Sequence, residues 1–263
     1  MDHQSKRVSA ISCLVQGVKS LRSSLLVSLI FTLVLSTVGQ FPTLIAHLKG
    51  LQYYTATASL WGFMTSILFW LTQTLILVGV SQLVWGGQIQ QSNGWSQLFP
   101  PKKMRLHILL WCAAFTVMIF VVLTGTELFV KSFFNAGGYI PVPALPLLFY
   151  FLAFVPLMMV ERGLPMVIAI REAFAGIRVN CFLLVRLALV AEAVLLTFGV
   201  LVPQRPESVV ADQIRWLIFT VPVWMINSAM IASAYVQVYG LSPSGTMSSN
   251  PNHDPGQQPL RPA

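Results

Sequence analysis

The sequence predicts an all-α fold: a polytopic membrane helix bundle of six transmembrane helices with interfacial amphipathic helices. Three observations carry that prediction. Hydrophobic residues make up 56% of the 263 positions and charged residues only 9%, where a soluble domain carries about a quarter charged residues. So few charges cannot cover a water-facing surface. The apolar residues also fall in long runs, and about 20 helical residues cross the roughly 30 Å hydrocarbon core of a bilayer. Finally, the 16 Lys and Arg residues alternate between successive loops, as the positive-inside rule requires.

The chain divides into a cytoplasmic interfacial segment, 1–22, a transmembrane domain, 23–240, and a tail, 241–263. In "SKRVSAISCLVQGVKSLRSS", Val8, Ile11, Val15 and Val18 recur at helical spacing between basic ends. Such a helix can lie in the headgroup layer, with Lys6, Arg7, Lys19 and Arg22 near anionic lipid. The apolar run that follows could imitate a signal peptide. Yet "STVGQFP" offers no small-x-small cleavage site, and more spans follow, so a retained first helix is expected.

Spans are expected at about 23–46, 57–85, 107–130, 143–160, 181–202 and 216–239. The loop "GGQIQQSNGWSQLFPPKK", residues 86–103, is polar, with Trp95 and Phe99 placed to anchor it at the interface. Its glycine pair lacks the spacing and the Lys-Ser/Thr of a phosphate-binding loop. Between the fourth and fifth spans, Met166, Ile170, Phe174 and Ile177 form an apolar stripe, with Arg171, Glu172 and Arg178 on the polar side. This is a second candidate surface helix; the short fourth span either stops before it or continues into 161–178. The tail is rich in Pro, Ser, Gly and Asn, has little apolar surface to bury, and is expected to be disordered.

With six spans, twelve of the sixteen cations fall on one side: Lys6, Arg7, Lys19, Arg22, Lys102, Lys103, Arg105, Arg162, Arg171, Arg178, Arg186 and Arg261. Both termini are then cytoplasmic, in a bacterial inner membrane. The same retention of cations accounts for the net charge of +8. No groove-reading motif accompanies that charge, so no nucleic-acid partner is expected. The expected partners are the bilayer and its anionic headgroups, with a membrane-protein partner or a second copy of the chain.

Motifs for chemistry are missing from the sequence. Cys13, Cys112 and Cys181 are widely spaced and read as core-filling thiols, not as a disulfide framework or zinc site. His3, His47, His107 and His253 form no metal-binding pair, and no nucleophile elbow is present. No catalytic residue, metal site or cofactor is expected, and the chain does not read as an enzyme.

One carboxylate lies deep in a span: Glu192, within "VRLALVAEAVLLTFGVLV". Ionisable groups at that depth are rare and face the bundle interior. Ala188 and Gly199 share its helical face, and small residues let transmembrane helices approach closely. Arg186 lies about 9 Å away along the axis and on another side. Gln73 and Asn227 lie near the centres of their own spans, which puts all three at one expected depth. A cluster of Glu192, Gln73 and Asn227 could fasten helices together or bind a proton or polar substrate.

The stretch "FVPLMMVERGLPMVIAIREAFAGIRVNCFLLVRLALV", residues 154–190, resembles the YciC-like family of bacterial inner-membrane proteins, and the related membrane domain of some glycerophosphodiester phosphodiesterases. Ala169, Arg178 and Asn180 match its Ala, basic residue and Asn, while Ala173 stands where the family usually has Ser. "GVSQLVWGGQIQQSNGWSQLF" and "FTVPVWMINSAMIASAYVQVYG", with Pro222, resemble its helix end and its last span. The resemblance covers most of residues 20–240. It implies a six-helix inner-membrane bundle, implies no settled reaction, and assigns Glu192 no role. The stretches outside the spans are too short to hold a phosphodiesterase domain. Two functions remain open: a structural or scaffold role in the envelope or a membrane complex, and a small-molecule or lipid transporter built on Glu192. A membrane enzyme is a weaker third.

Overall fold

The computed structural model describes residues 9–48, 56–89, 98–134, 152–201 and 209–241, and every regular element among them is helical. In chain order these are α1 (Ala10–Leu21), a 3₁₀ turn (Arg22–Ser24), α2 (Leu25–Leu48), α3 (Ala56–Ile89), α4 (Lys102–Phe134), α5 (Phe154–Glu161), α6 (Met166–Leu201) and α7 (Val209–Tyr239). Among the described residues, three stretches are long and apolar enough to cross a membrane: Ala10–Pro42, Trp61–Gly86 and Leu217–Tyr239. A fourth is formed if the two arms of α6, Met166–Gly176 and Asn180–Ala191, count as one bent span. Lys6, Arg7, Trp95 and the tail from residue 242 lie outside the described residues.

The surface of α2 shows which solvent it is built for. Leu26, Leu33, Val34 and Val38 are exposed, while Ser28, Thr32 and Ser36, with Ser24 of the turn before, point inward and are buried. In water this arrangement would be inside out. In hydrocarbon it is the expected one, because lipid tails accept Leu and Val as readily as a protein core does.

Around the second half of α3 the packing is dense. Ile76, Leu77, Val78, Val80, Leu83 and Val84 are almost wholly buried, and α2, α7 and α4 pack against it. Close approach is set by small residues. Gly79 accepts the ring of Phe31, and Gly39 lies against Thr72. On the α4 side, the Cys112 thiol donates to Thr74 Oγ1 at 3.4 Å, and Trp70 meets Phe115 edge-on at 4.9 Å. Phe99 is exposed and meets the Phe31 ring edge-on at 5.6 Å.

In α1 the expected apolar stripe turns outward. Ile11, Val15 and Val18 are exposed, whereas Ala10, Cys13, Gly17 and Leu21 are buried, and α1 packs chiefly on α7. The physical reason is that apolarity gives no preference for a neighbouring helix over lipid, whereas small side chains permit van der Waals contact between backbones. Over its described part, the helix expected in residues 1–22 leaves its apolar stripe free to face lipid and docks its small-residue face on α7.

The fourth span expected at 143–160 falls largely outside the described residues. Its end forms α5, whose residues Phe154–Met159 are all buried. It does not run on into 161–178. The Arg162 N–H closes the helix on Met158 O at 3.0 Å, and Gly163 follows with φ of 65°, a conformation only glycine adopts without strain. A second break lies within α6: its two arms meet at 95°. Asn180 leaves helical geometry there, with φ −119° and ψ 23°, and its Nδ2 donates to Gly176 O at 3.1 Å. The bend separates the predicted surface helix from the predicted fifth span.

Candidate functional site

Among the described residues, a dense set of polar and aromatic contacts lies where α5 ends, beside the last turns of α7. Tyr235 and Tyr239 sit four residues apart on α7 and so share a face. Their rings lie 5.2 Å apart, with Phe154 at 6.0 Å and 5.7 Å from them and Trp85 at 5.4 Å from Tyr235. The indole N–H of Trp85 donates to Ala232 O at 3.3 Å. Tyr235 is wholly buried, and its hydroxyl donates to Glu161 Oε2 at 2.9 Å. The same oxygen accepts from Arg162 Nε at 3.2 Å.

The Arg162 guanidinium is partly exposed while the Glu161 carboxylate is largely buried, and an ion pair with one partner in solvent contributes little by itself. What Arg162 adds is reach. Its Nη2 donates to Tyr239 O at 3.1 Å, which places a cation on the carbonyl end of α7, where the helix dipole favours positive charge. Its guanidinium also lies 5.8 Å from the Tyr239 ring centroid, within cation–π range. Glu161 and Arg162 thus tie the turn after α5 to the end of α7.

The first arm of α6 is held to the same cluster. Ala169 and Ala173 are fully buried, the Tyr239 hydroxyl donates to Ala173 O at 3.4 Å, and Gly176 lies under the Tyr239 ring. Ala173, the departure from the family pattern, therefore sits in a packed seam and offers its backbone carbonyl rather than a hydroxyl. The apolar stripe of the expected surface helix is open here as well: Phe174 is exposed, with Met166 and Ile170 only partly buried. Replacing Gly176 with alanine is expected to displace Tyr239 and lower stability by about 1–3 kcal/mol, as overpacking does. Thermal unfolding in detergent checks this, with Tyr239→Phe as the smaller reference change that removes only the hydroxyl bond.

The sequence did not single out Glu161, Tyr235 and Tyr239. A signal was present, since a Glu-Arg pair closes one apolar run and two tyrosines stand at helical spacing near the end of another. Nothing in the sequence shows that the two run ends meet.

The predicted midplane residues are placed differently. Gln73 and Asn227 are buried, at 2% and 9% exposure, and the side-chain oxygens of both lack a hydrogen-bond partner. They are not level. Thr72, beside Gln73, meets Gly39 of α2, whereas Met225, two residues before Asn227, accepts from Ser28 of α2. Ser28 and Gly39 are separated by about 16 Å of helix. Depth counted from span centres assumes that helices start together, but the register here is set by small-residue contacts. Gln73 also lies between Thr72, which faces α2, and Thr74, which faces α4.

Glu192 belongs to α6, and its side chain lies outside the described residues, as does that of Arg178. Ala188, four residues before it, is buried together with Leu184, Leu187 and Ala191, while Leu189, three residues before it, is exposed. Lys19, Arg22 and Arg171 are exposed. Cys13 and Cys112 are buried thiols and Cys181 is exposed. Among the described residues no group of His, Cys, Asp and Glu could hold a metal ion. Comparisons with protein-family models, with curated proteins and with solved structures find no match to this chain.

Proposed function

We propose that the chain is a non-catalytic integral membrane protein of a bacterial inner membrane, a scaffold whose working surface is the first arm of α6. In this reading the bundle has six spans with both termini cytoplasmic, as the cation pattern indicates and as expected of a YciC-like protein. One observation carries the proposal. The Met166–Gly176 arm stands at 95° to the helix that follows it, is fastened to Tyr239, and still presents Val167, Ile168 and Phe174 with Arg171 and Glu172 outward. A rigidly held amphipathic helix suits docking at the headgroup layer or on a neighbouring membrane protein.

Photo-cross-linking from position 174 in native membranes tests this. The expected result is one defined protein adduct, with a partner or a second copy, that is lost on Arg171→Glu. Adducts with lipid alone, together with a solute-uptake defect in Glu192→Gln at unchanged protein level, would sink the scaffold reading. That outcome would favour the second reading, a small-molecule or lipid transporter using Glu192, Gln73 and Asn227. The observation in its favour is that the buried amide oxygens of Gln73 and Asn227 have no hydrogen-bond partner.

A further inference from the structure

α4 opens on three exposed cations, Lys102, Lys103 and Arg105. No Asp or Glu occurs between residues 3 and 126, a stretch that holds eight Lys and Arg residues. The cations at the start of α4 therefore have no counter-charge in their own half of the chain. Beyond them the outer face of the helix is apolar. Lys103, Leu106, Leu110, Val117 and Val121 recur at intervals of three, four or seven residues, which puts them on one side of the helix, and the four aliphatic side chains are all exposed. From Leu106 to Val117 the stripe is about 16 Å long, close to half of a hydrocarbon core of roughly 30 Å. A cationic head above one leaflet's depth of apolar surface matches the outline of an anionic phospholipid.

The depth of the cations follows from α3. Trp70 meets Phe115, and Thr74 accepts from Cys112, so the two helices run antiparallel. Lys103 lies nine residues before Cys112, about 14 Å along the axis. That carries it to the level of Leu83, near the Gly86 end of the candidate span Trp61–Gly86. The stripe that starts at Leu106 runs back along the same span. The cations thus stand at the headgroup layer, and the stripe lies at hydrocarbon depth.

The cations are also held in place. Leu98 is wholly buried, and its carbonyl lies 3.0 Å from where a Cβ on Gly79 would stand. Phe99 meets Phe31 of α2 edge-on. These contacts pin the chain just before α4. The Met104 N–H then bonds to Pro101 O at 2.8 Å, and Arg105 Nε donates to Pro100 O at 3.3 Å, which orients the guanidinium. Mobile surface cations attract an anionic leaflet without selecting any one lipid. An oriented guanidinium beside two ammonium groups offers a fixed phosphate site.

We infer that the start of α4 binds one anionic phospholipid, its headgroup on Lys102, Lys103 and Arg105 and an acyl chain along Leu106, Leu110 and Val117. The inference goes beyond the scaffold reading and holds equally for a transporter. It rests only on placement in a membrane.

Native mass spectrometry tests it on the full-length protein, titrated in detergent with phosphatidylglycerol or with phosphatidylethanolamine. Phosphatidylglycerol is expected to form the tighter first adduct. A single Lys or Arg near an anionic lipid surface is worth about fivefold in binding, so Lys103→Gln is expected to weaken that adduct about fivefold. Lys19→Gln removes the same charge from α1 and is expected to leave the first adduct unchanged. A phosphatidylglycerol with a diazirine on its acyl chain is expected to label the peptide around residues 106–121. That label is read on the parent protein, so it does not depend on any variant folding. Equal weakening by the two substitutions, equal binding of the two lipids, or labelling confined to helices other than α4 would each overturn the site.

Discussion

Replacing Gly17 with valine is expected to expel α1 from its seat on α7. A Cβ at this position would meet the backbone of Ala229 and Met230. Flexible side chains can swing aside, but two helix backbones cannot, so even alanine forces the helices apart. Overpacking costs about 1–3 kcal/mol where neighbours can yield, and valine at a backbone contact falls at or above the upper end of that range. The loss extends beyond one residue, because Ala10, Cys13 and Leu21 are buried on the same face and lose their contacts when the seam opens. Cys13 supplies the readout. It is buried while α1 is seated. With the exposed Cys181 replaced by serine, maleimide labelling of Cys13 is expected to be slow in the parent, faster in Gly17→Ala and fastest in Gly17→Val. Equal labelling in all three would mean that the seam does not hold α1.

The same helix shows what the sequence could reveal and what it could not. Composition and run length identify membrane-type helices because hydrocarbon imposes a length and a polarity on any segment that crosses it. The break at Gly163 and the bend near Asn180 are local chemistry, and the sequence marks them with a Gly-Leu-Pro turn and an Asn between two apolar stretches. Which face of a helix meets its neighbour is a different matter. Periodicity finds the apolar stripe, and in water that stripe would be the contact. Here Val15, Val18 and Phe174 face outward, while Gly17, Ala169 and Ala173 make the contacts. Reading for small residues would have found the seams on α1 and on the first arm of α6. The offset between Gln73 and Asn227 was not legible by any local rule, because it depends on where Gly39 and Gly79 let α2 settle against α3.

Truncating Tyr235 to alanine is expected to cost about 3–5 kcal/mol, the range for a large buried aromatic, and to release the turn after α5 from α7. The ring lies against Trp85, Phe154 and Tyr239, so its loss leaves a cavity among the three. Tyr235→Phe separates packing from hydrogen bonding. It keeps the ring and removes only the donor to Glu161 Oε2. A largely buried carboxylate that loses a donor costs about 1–3 kcal/mol, so the phenylalanine variant is expected to lie between the parent and alanine in thermal unfolding. Glu161→Gln should recover part of that loss in the Tyr235→Phe background, because a neutral amide tolerates burial better than a carboxylate short of one donor. The gain is limited, since Arg162 then loses the acceptor that orients it towards Tyr239 O. A double-mutant cycle between positions 161 and 235, read as unfolding temperature in detergent, measures the coupling. A coupling indistinguishable from zero would show that the aromatic contacts alone hold the two helix ends together.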